Sequence, residues 1–160
     1  MPRRRQYGFP FQRELDFPLL WMIVKYGNGA IATPKKENTL LAELADLFSV
    51  PQESRKLELR DGQNKWLNHV KWVRKQLCIK GLLDGSEGAW VLTEDGWLHT
   101  ESEVGKILTL TMPHDAQMLI FEKRLKLAFS LKDREVVKRL NSVVAKWIVA
   151  AYDERKRRGL

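Results

Sequence analysis

The chain has 160 residues, 44% of them hydrophobic, with six tryptophans and a formal net charge of +8. These values describe one domain, or one small domain with an appended element, and they exclude a disordered polymer. The positive excess favours nucleic acid or another anionic surface as partner over neutral ligands. A single cysteine, Cys78, excludes an internal disulfide, and the longest apolar run, 18–24, is too short to span a bilayer. With no signal-peptide pattern at the start, a cytoplasmic protein that does not bind membranes is expected.

The charge is segregated. Residues 1–13 hold four arginines and no acid, and residues 61–80 hold five bases against Asp61. Residues 82–105 hold six acids and no lysine or arginine, and residues 106–152 hold nine bases and four acids.

In chain order, residues 1–13 are expected to form a flexible basic arm. Arg3, Arg4 and Arg5 are candidates for entry into a minor groove, against the plainer reading of a solvated tail. A first helix follows in ELDFPLLWMIVKYG, with Pro18 in its first turn and Gly27 and Gly29 ending it. The pattern predicts a second helix over 35–48, with Thr33 as N-cap and Pro34 at its first position. The segment QESRKLELRDG is expected to be a loop with a short extended piece.

A third helix is expected over 64–80, with Gly81 after it. At about 100° per residue, Trp66, Val70, Val73 and Leu77 form its core stripe, and Asn68, Trp72 and Lys75 lie opposite, flanked by Asn64, Lys65 and Lys71. Then LLDGSEGAWVLTEDG reads as a hairpin, with Leu82–Leu83 as one strand and Trp90–Leu92 as the return. Three helices and a hairpin give the order of a winged helix-turn-helix. Thr100 to Glu103 fits a capping box, opening a short helix to about Leu110. Helices over 115–129 and 131–157 complete the pattern. The expected fold class is mainly α with a small β-hairpin: a winged helix-turn-helix over 14–112 and a C-terminal helical pair over 113–160.

Residues 14–96 resemble the winged-helix domain at the N-terminus of Mrr-type restriction endonucleases. The pieces that match are PLL at 18–20, the leucine-rich second helix, DGQNKWLNHVKW, the KGLL run at 80–83, and GAWVLTEDG against the family's Gly-x-Trp-x-Leu-Thr-x-x-Gly. The resemblance implies duplex DNA as partner. The reading residues would then be Asn64, Lys65, Asn68, His69, Lys71, Trp72, Arg74 and Lys75. The residues alone also admit a solvated, lysine-rich face on an ordinary core helix. Two features depart from the family. The wing tip, Asp84-Gly85-Ser86-Glu87-Gly88, is acidic where the family's usually has a basic residue, and no nuclease domain is expected after residue 96.

No enzyme is expected. The nuclease's Glu/Gln-x-Lys pattern occurs at Glu154-Arg155-Lys156 and Gln63-Asn64-Lys65, both in helical rather than strand context. His69, Cys78, His99 and His114 have no zinc-site spacing, and there is no phosphate-binding loop, so neither metal nor cofactor is expected. In the last helix Val137, Leu140, Val144, Trp147, Ile148 and Ala151 form a wide apolar stripe. It serves either as extra core or as the interface of a homodimer. Two functions compete: a restriction-associated or regulatory DNA-binding protein, sensitive to sequence or base modification, and a winged-helix module. The module would use its acidic wing and C-terminal helices to bind a nuclease or other protein subunit.

Overall fold

The computed structural model describes residues 5–111 and 134–159. The helix expected over 115–129 lies outside them, as do Arg3, Arg4 and His114.

Helix α1, Asp16–Gly27, buries every side chain from Phe17 to Val24. A helix apolar on all sides must be surrounded, and α1 is packed by α2 (Thr39–Leu47), α4 (Lys65–Ile79), α5 (Glu94–Thr111) and α6 (Arg134–Arg157). Its end is set by Asn28, which is left-handed at φ 54°, with the Gly29 N–H returning to the Ile23 carbonyl at 3.2 Å. Gly29 follows at φ 95°, and a Cβ there would stand 2.2 Å from the Trp97 ring. Both backbone angle and space demand glycine.

Strand β1, Ala30–Ala32, pairs antiparallel with β2, Ala89–Val91, placing Ile31 opposite Trp90. A single bridge joins Leu83 to Leu92 and adds the outgoing edge of the wing. The hairpin is therefore present, and its principal partner is the strand between α1 and α2.

Helix α2 starts at Asn38, whose Oδ1 accepts the Leu40 N–H at 2.8 Å, rather than at Thr33. Thr33 donates its N–H to the Gly88 carbonyl at 3.2 Å, which holds it in the sheet and pushes the helix start downstream. The following segment contains one helical turn, α3 (Gln52–Arg55), where a loop was expected. Its extended piece is confined to the Glu58–Asn64 bridge. Helix α5 begins at Glu94, not Thr100. Thr93 Oγ1 accepts the Gly96 N–H at 3.0 Å and donates to the Gly81 carbonyl at 2.6 Å, so it caps the helix and fastens it to the end of α4. Thr100 is buried mid-helix and donates to the Gly96 carbonyl.

Residues 5–13, read from the sequence as part of a flexible arm, are packed against the domain. Arg5 pairs with Glu14 at 3.1 Å, and the same carboxylate accepts the Phe11 N–H at 2.7 Å. Two 3-10 turns, Gln6–Gly8 and Gln12–Leu15, close this loop over a buried Phe9. Helix α6 lies on α1, α2 and α5, and Asn141 accepts the indole N–H of Trp21 at 3.1 Å.

Candidate DNA interface

Helix α4 is held on three sides. Asn64 is its N-cap: Oδ1 accepts the Leu67 N–H at 2.9 Å and Nδ2 donates to the Arg55 carbonyl at 2.8 Å. Trp66, Val70, Val73 and Leu77 are buried, and the Trp66 indole donates to the Leu41 carbonyl at 3.0 Å. At the far end Lys80 reaches Asp16 at 2.6 Å, and Gly81 carries the left-handed turn at φ 78°. A helix fixed at both ends and along one face presents the opposite face rigidly.

The eight sequence-predicted reading residues divide in the fold. Asn64 is buried as the cap, with both ends of its amide engaged. The His69 ring stacks on Trp66 at 6.0 Å and hydrogen-bonds the Pro10 carbonyl at 2.7 Å. Burial holds its pKa below the ordinary 6.5, opposed in part by the Pro10 bond. A neutral ring donating to a carbonyl fits this site. The Arg74 guanidinium donates to the carbonyls of Ser86 at 2.9 Å, Asp84 at 3.3 Å and Ala89 at 3.4 Å. These three side chains are engaged by the fold, each through backbone groups of the same chain.

Asn68, Lys71, Trp72 and Lys75 remain together on the outward face. Trp72 is 46% exposed, with the Lys75 ammonium over its ring at 4.8 Å. Such a contact keeps the cation in solvent while steadying the indole. Ile79 continues the same stripe at 70% exposure. Lys65 stands at the entry of α4, donating to the Tyr7 hydroxyl at 3.0 Å and lying over that ring at 4.2 Å. Tyr7 was not foreseen. It lies 58 positions from its partner, in a segment read as a free arm.

Arg5, a minor-groove candidate by sequence, is bound to Glu14 and packs over the rings of Phe11 and Tyr152. Arg74 also explains the tolerance of an acidic wing. It ties the tip's backbone to α4 and places a positive charge beneath Asp84, whose carboxylate accepts the Ser86 N–H and hydroxyl at 2.8 and 2.7 Å. Those bonds, with a smaller contribution from Arg74, keep Asp84 below its ordinary pKa and therefore ionised.

The apolar stripe of α6 is mostly consumed within the chain. Val137, Leu140, Val144 and Ile148 are buried, while Trp147 and Ala151 are half-buried. The first four belong to the core of the single chain, which favours the extra-core alternative for them. Cys78 is half-buried, its thiol directed at the Asp84 carbonyl at 3.5 Å. Among the described residues no cluster of three or more His, Cys, Asp or Glu could hold a metal ion, and no helix is long and apolar enough to cross a membrane.

The sheet register, the capped α4 and the Thr93–Gly96 start of α5 coincide with the residues matched by one family model, the Mrr N-terminal domain, over 18–99. The chain belongs to the Mrr N-terminal domain family. No curated protein and no solved structure matches it. The Mrr N-terminal assignment covers the winged-helix arrangement and supports a restriction-related, DNA-binding role. Within this Mrr N-terminal domain, Gly96 has a clear reason: a Cβ there would stand 2.1 Å from the Leu82 carbonyl oxygen. The family's final glycine lets the wing's root and α5 touch.

Proposed function

We propose that this chain is a non-enzymatic duplex DNA-binding protein that lays α4 in the major groove. Asn68 is the residue suited to a bidentate contact with adenine, Lys71 and Lys75 to guanine or phosphate, and Trp72 to an apolar base edge. Lys65, at the entry of the helix, approaches the backbone. The observation that carries this reading is the outward face of α4. Its amide, two amines and indole project from a helix whose capping, wing-holding and core side chains are all otherwise engaged. Lys71 has no ion-pair partner among the described residues. The family membership favours a restriction-associated setting over transcriptional control.

A second reading has one observation behind it. The exposed wing tip carries Asp84 and Glu87, and Arg74 fixes its backbone. A rigid acidic hairpin suits a basic protein partner, such as a nuclease subunit, better than phosphate.

The test is binding to random duplex DNA across a salt series, by fluorescence anisotropy. Wild type should lose affinity steeply with salt. Lys71→Glu with Lys75→Glu should abolish binding while leaving the melting curve in place. Binding that ignores salt, or a salt slope that the double substitution leaves unchanged, would overturn the reading that α4 enters the groove, in favour of the wing.

A further inference from the structure

A cleft of about 260 Å³ opens between the start of α1, α5 and α6, away from the outward face of α4. Its lining combines apolar side chains, Phe17, Phe48, Trp147 and Ile148, with charged ones, here termed its rim. The rim carboxylates already have cations. Glu14 pairs with Arg5 at 3.1 Å, Asp16 with Lys80 at 2.6 Å, and Glu103 with Lys106 at 3.1 Å. The rim arginines lack the converse. Arg13 lies over the Phe11 ring at 4.9 Å, and neither it nor Arg155 has a carboxylate partner among the described residues. His99 adds an imidazole to the same rim.

The geometry points to a binding site for a small amphiphilic anion: one carboxylate or phosphate on an apolar body of one or two rings. Three facts select this class. The unspent charge at the rim is positive and belongs to guanidinium groups, which match carboxylate and phosphate in planar, two-bond geometry. Phe17, Phe48 and Trp147 line the same cleft as those arginines, so a ligand with both parts fills it better than a free inorganic anion. The volume lies just under the usual ligand-pocket range, which suits a ring-sized body and is small for a dinucleotide. A metal ion is disfavoured because the nearby carboxylates are neutralised and no three-ligand cluster exists among the described residues. The inference is independent of the reading of α4, since none of the cleft's residues lies on that helix.

The experiment titrates the full chain with 1-naphthaleneacetate and, separately, with its neutral amide, following Trp emission and amide NMR shifts. The acid should bind at least about tenfold more tightly than the amide, as expected for a charge-assisted contact. The shifts should centre on Trp147 and His99. Arg155→Gln should remove that preference for the acid. Ala151→Phe, which fills the cleft without changing its charge, should abolish both ligands' binding at an unchanged melting temperature. Should Ala151→Phe prove unstable, Arg155→Gln with Arg13→Gln gives the same test from the rim. Equal binding of acid and amide, shifts centred elsewhere, or no saturable binding would each overturn the proposal.

Discussion

Replacing Asn64 by alanine separates a structural role from a base-reading one. The side chain makes two bonds inside the fold: Oδ1 with the Leu67 N–H at 2.9 Å and Nδ2 with the Arg55 carbonyl at 2.8 Å. Loss of an N-cap costs about 1 kcal/mol. Leaving a partly buried carbonyl without its donor costs about 1 kcal/mol or more. Together they destabilise by about 2 kcal/mol, or roughly 4–8 °C in Tm for a domain of this size. Asn64→Asp should recover about half of that loss. Its carboxylate still caps the helix and suits the positive end of α4, but it cannot donate to Arg55. The assay is thermal unfolding by circular dichroism, paired with DNA anisotropy well below the transition. DNA affinity should stay within about twofold of wild type for both variants, since the loss falls on folding rather than on contact. If Asn64→Ala melts like wild type yet binds DNA tenfold more weakly, the amide is a reading group and the division of α4 argued above is wrong.

His69 gives a pH signature. Its neutral form is favoured by burial, so its stabilisation is fully present above the ordinary 6.5 and declines as pH falls from there through the lower folded value. His69→Gln, which keeps a donor for the Pro10 carbonyl, should flatten the loss of urea stability between pH 7 and about pH 5; an unchanged pH profile would place the ring in solvent. Gly96→Ala should destabilise by about 1–3 kcal/mol, the typical cost of overpacking a core, because its Cβ would stand 2.1 Å from the Leu82 oxygen. Near-wild-type melting would mean that wing and α5 are not joined there. Glu87→Lys should tighten binding to random duplex and steepen its salt dependence by about one unit of slope. No change would place the wing away from the phosphates.

The third helix was legible because its core stripe repeats at helical spacing, and that periodicity does not depend on neighbours. Trp66, Val70, Val73 and Leu77 are buried as their spacing demands. What the sequence concealed is which polar residues the fold consumes. Asn64, His69 and Arg74 have the composition of DNA-reading residues, but their partners are the backbone carbonyls of Arg55, Pro10 and the wing. Carbonyls leave no trace in residue identity. The same blindness moved two helix starts: Thr33 is a good cap by type but is held in the sheet, and Thr93 caps α5 where Thr100 had the better local pattern. In the arm, Arg5 looked free because Glu14 was assigned to the first helix rather than to a closed loop.

This division has a quantitative consequence for recognition. Of the cations first placed on the reading surface, Arg74 is spent on the wing, which leaves Lys65, Lys71 and Lys75. Each phosphate neutralised contributes about −0.9 to the slope of log K against log salt concentration, so α4 alone supports a slope of about −3. Lys71→Glu with Lys75→Glu removes two of those three contacts and reverses their sign, enough to leave no net attraction from the helix. A wild-type slope near −3 would therefore assign the electrostatics to α4. A slope of about −6 would require cations elsewhere, and the exposed run from Arg155 to Arg158 is one such source in the chain's described part. In that case two of its members, Arg157 and Arg158, must first give up Glu154, which they hold at 2.8 Å each. Exposed pairs of this kind are worth less than about 1 kcal/mol and yield readily to phosphate. Charge reversal at Arg155 and Lys156 then separates the cases. It leaves a slope of −3 untouched if the helix acts alone, and it brings a slope of −6 down by several units if the tail shares the duplex.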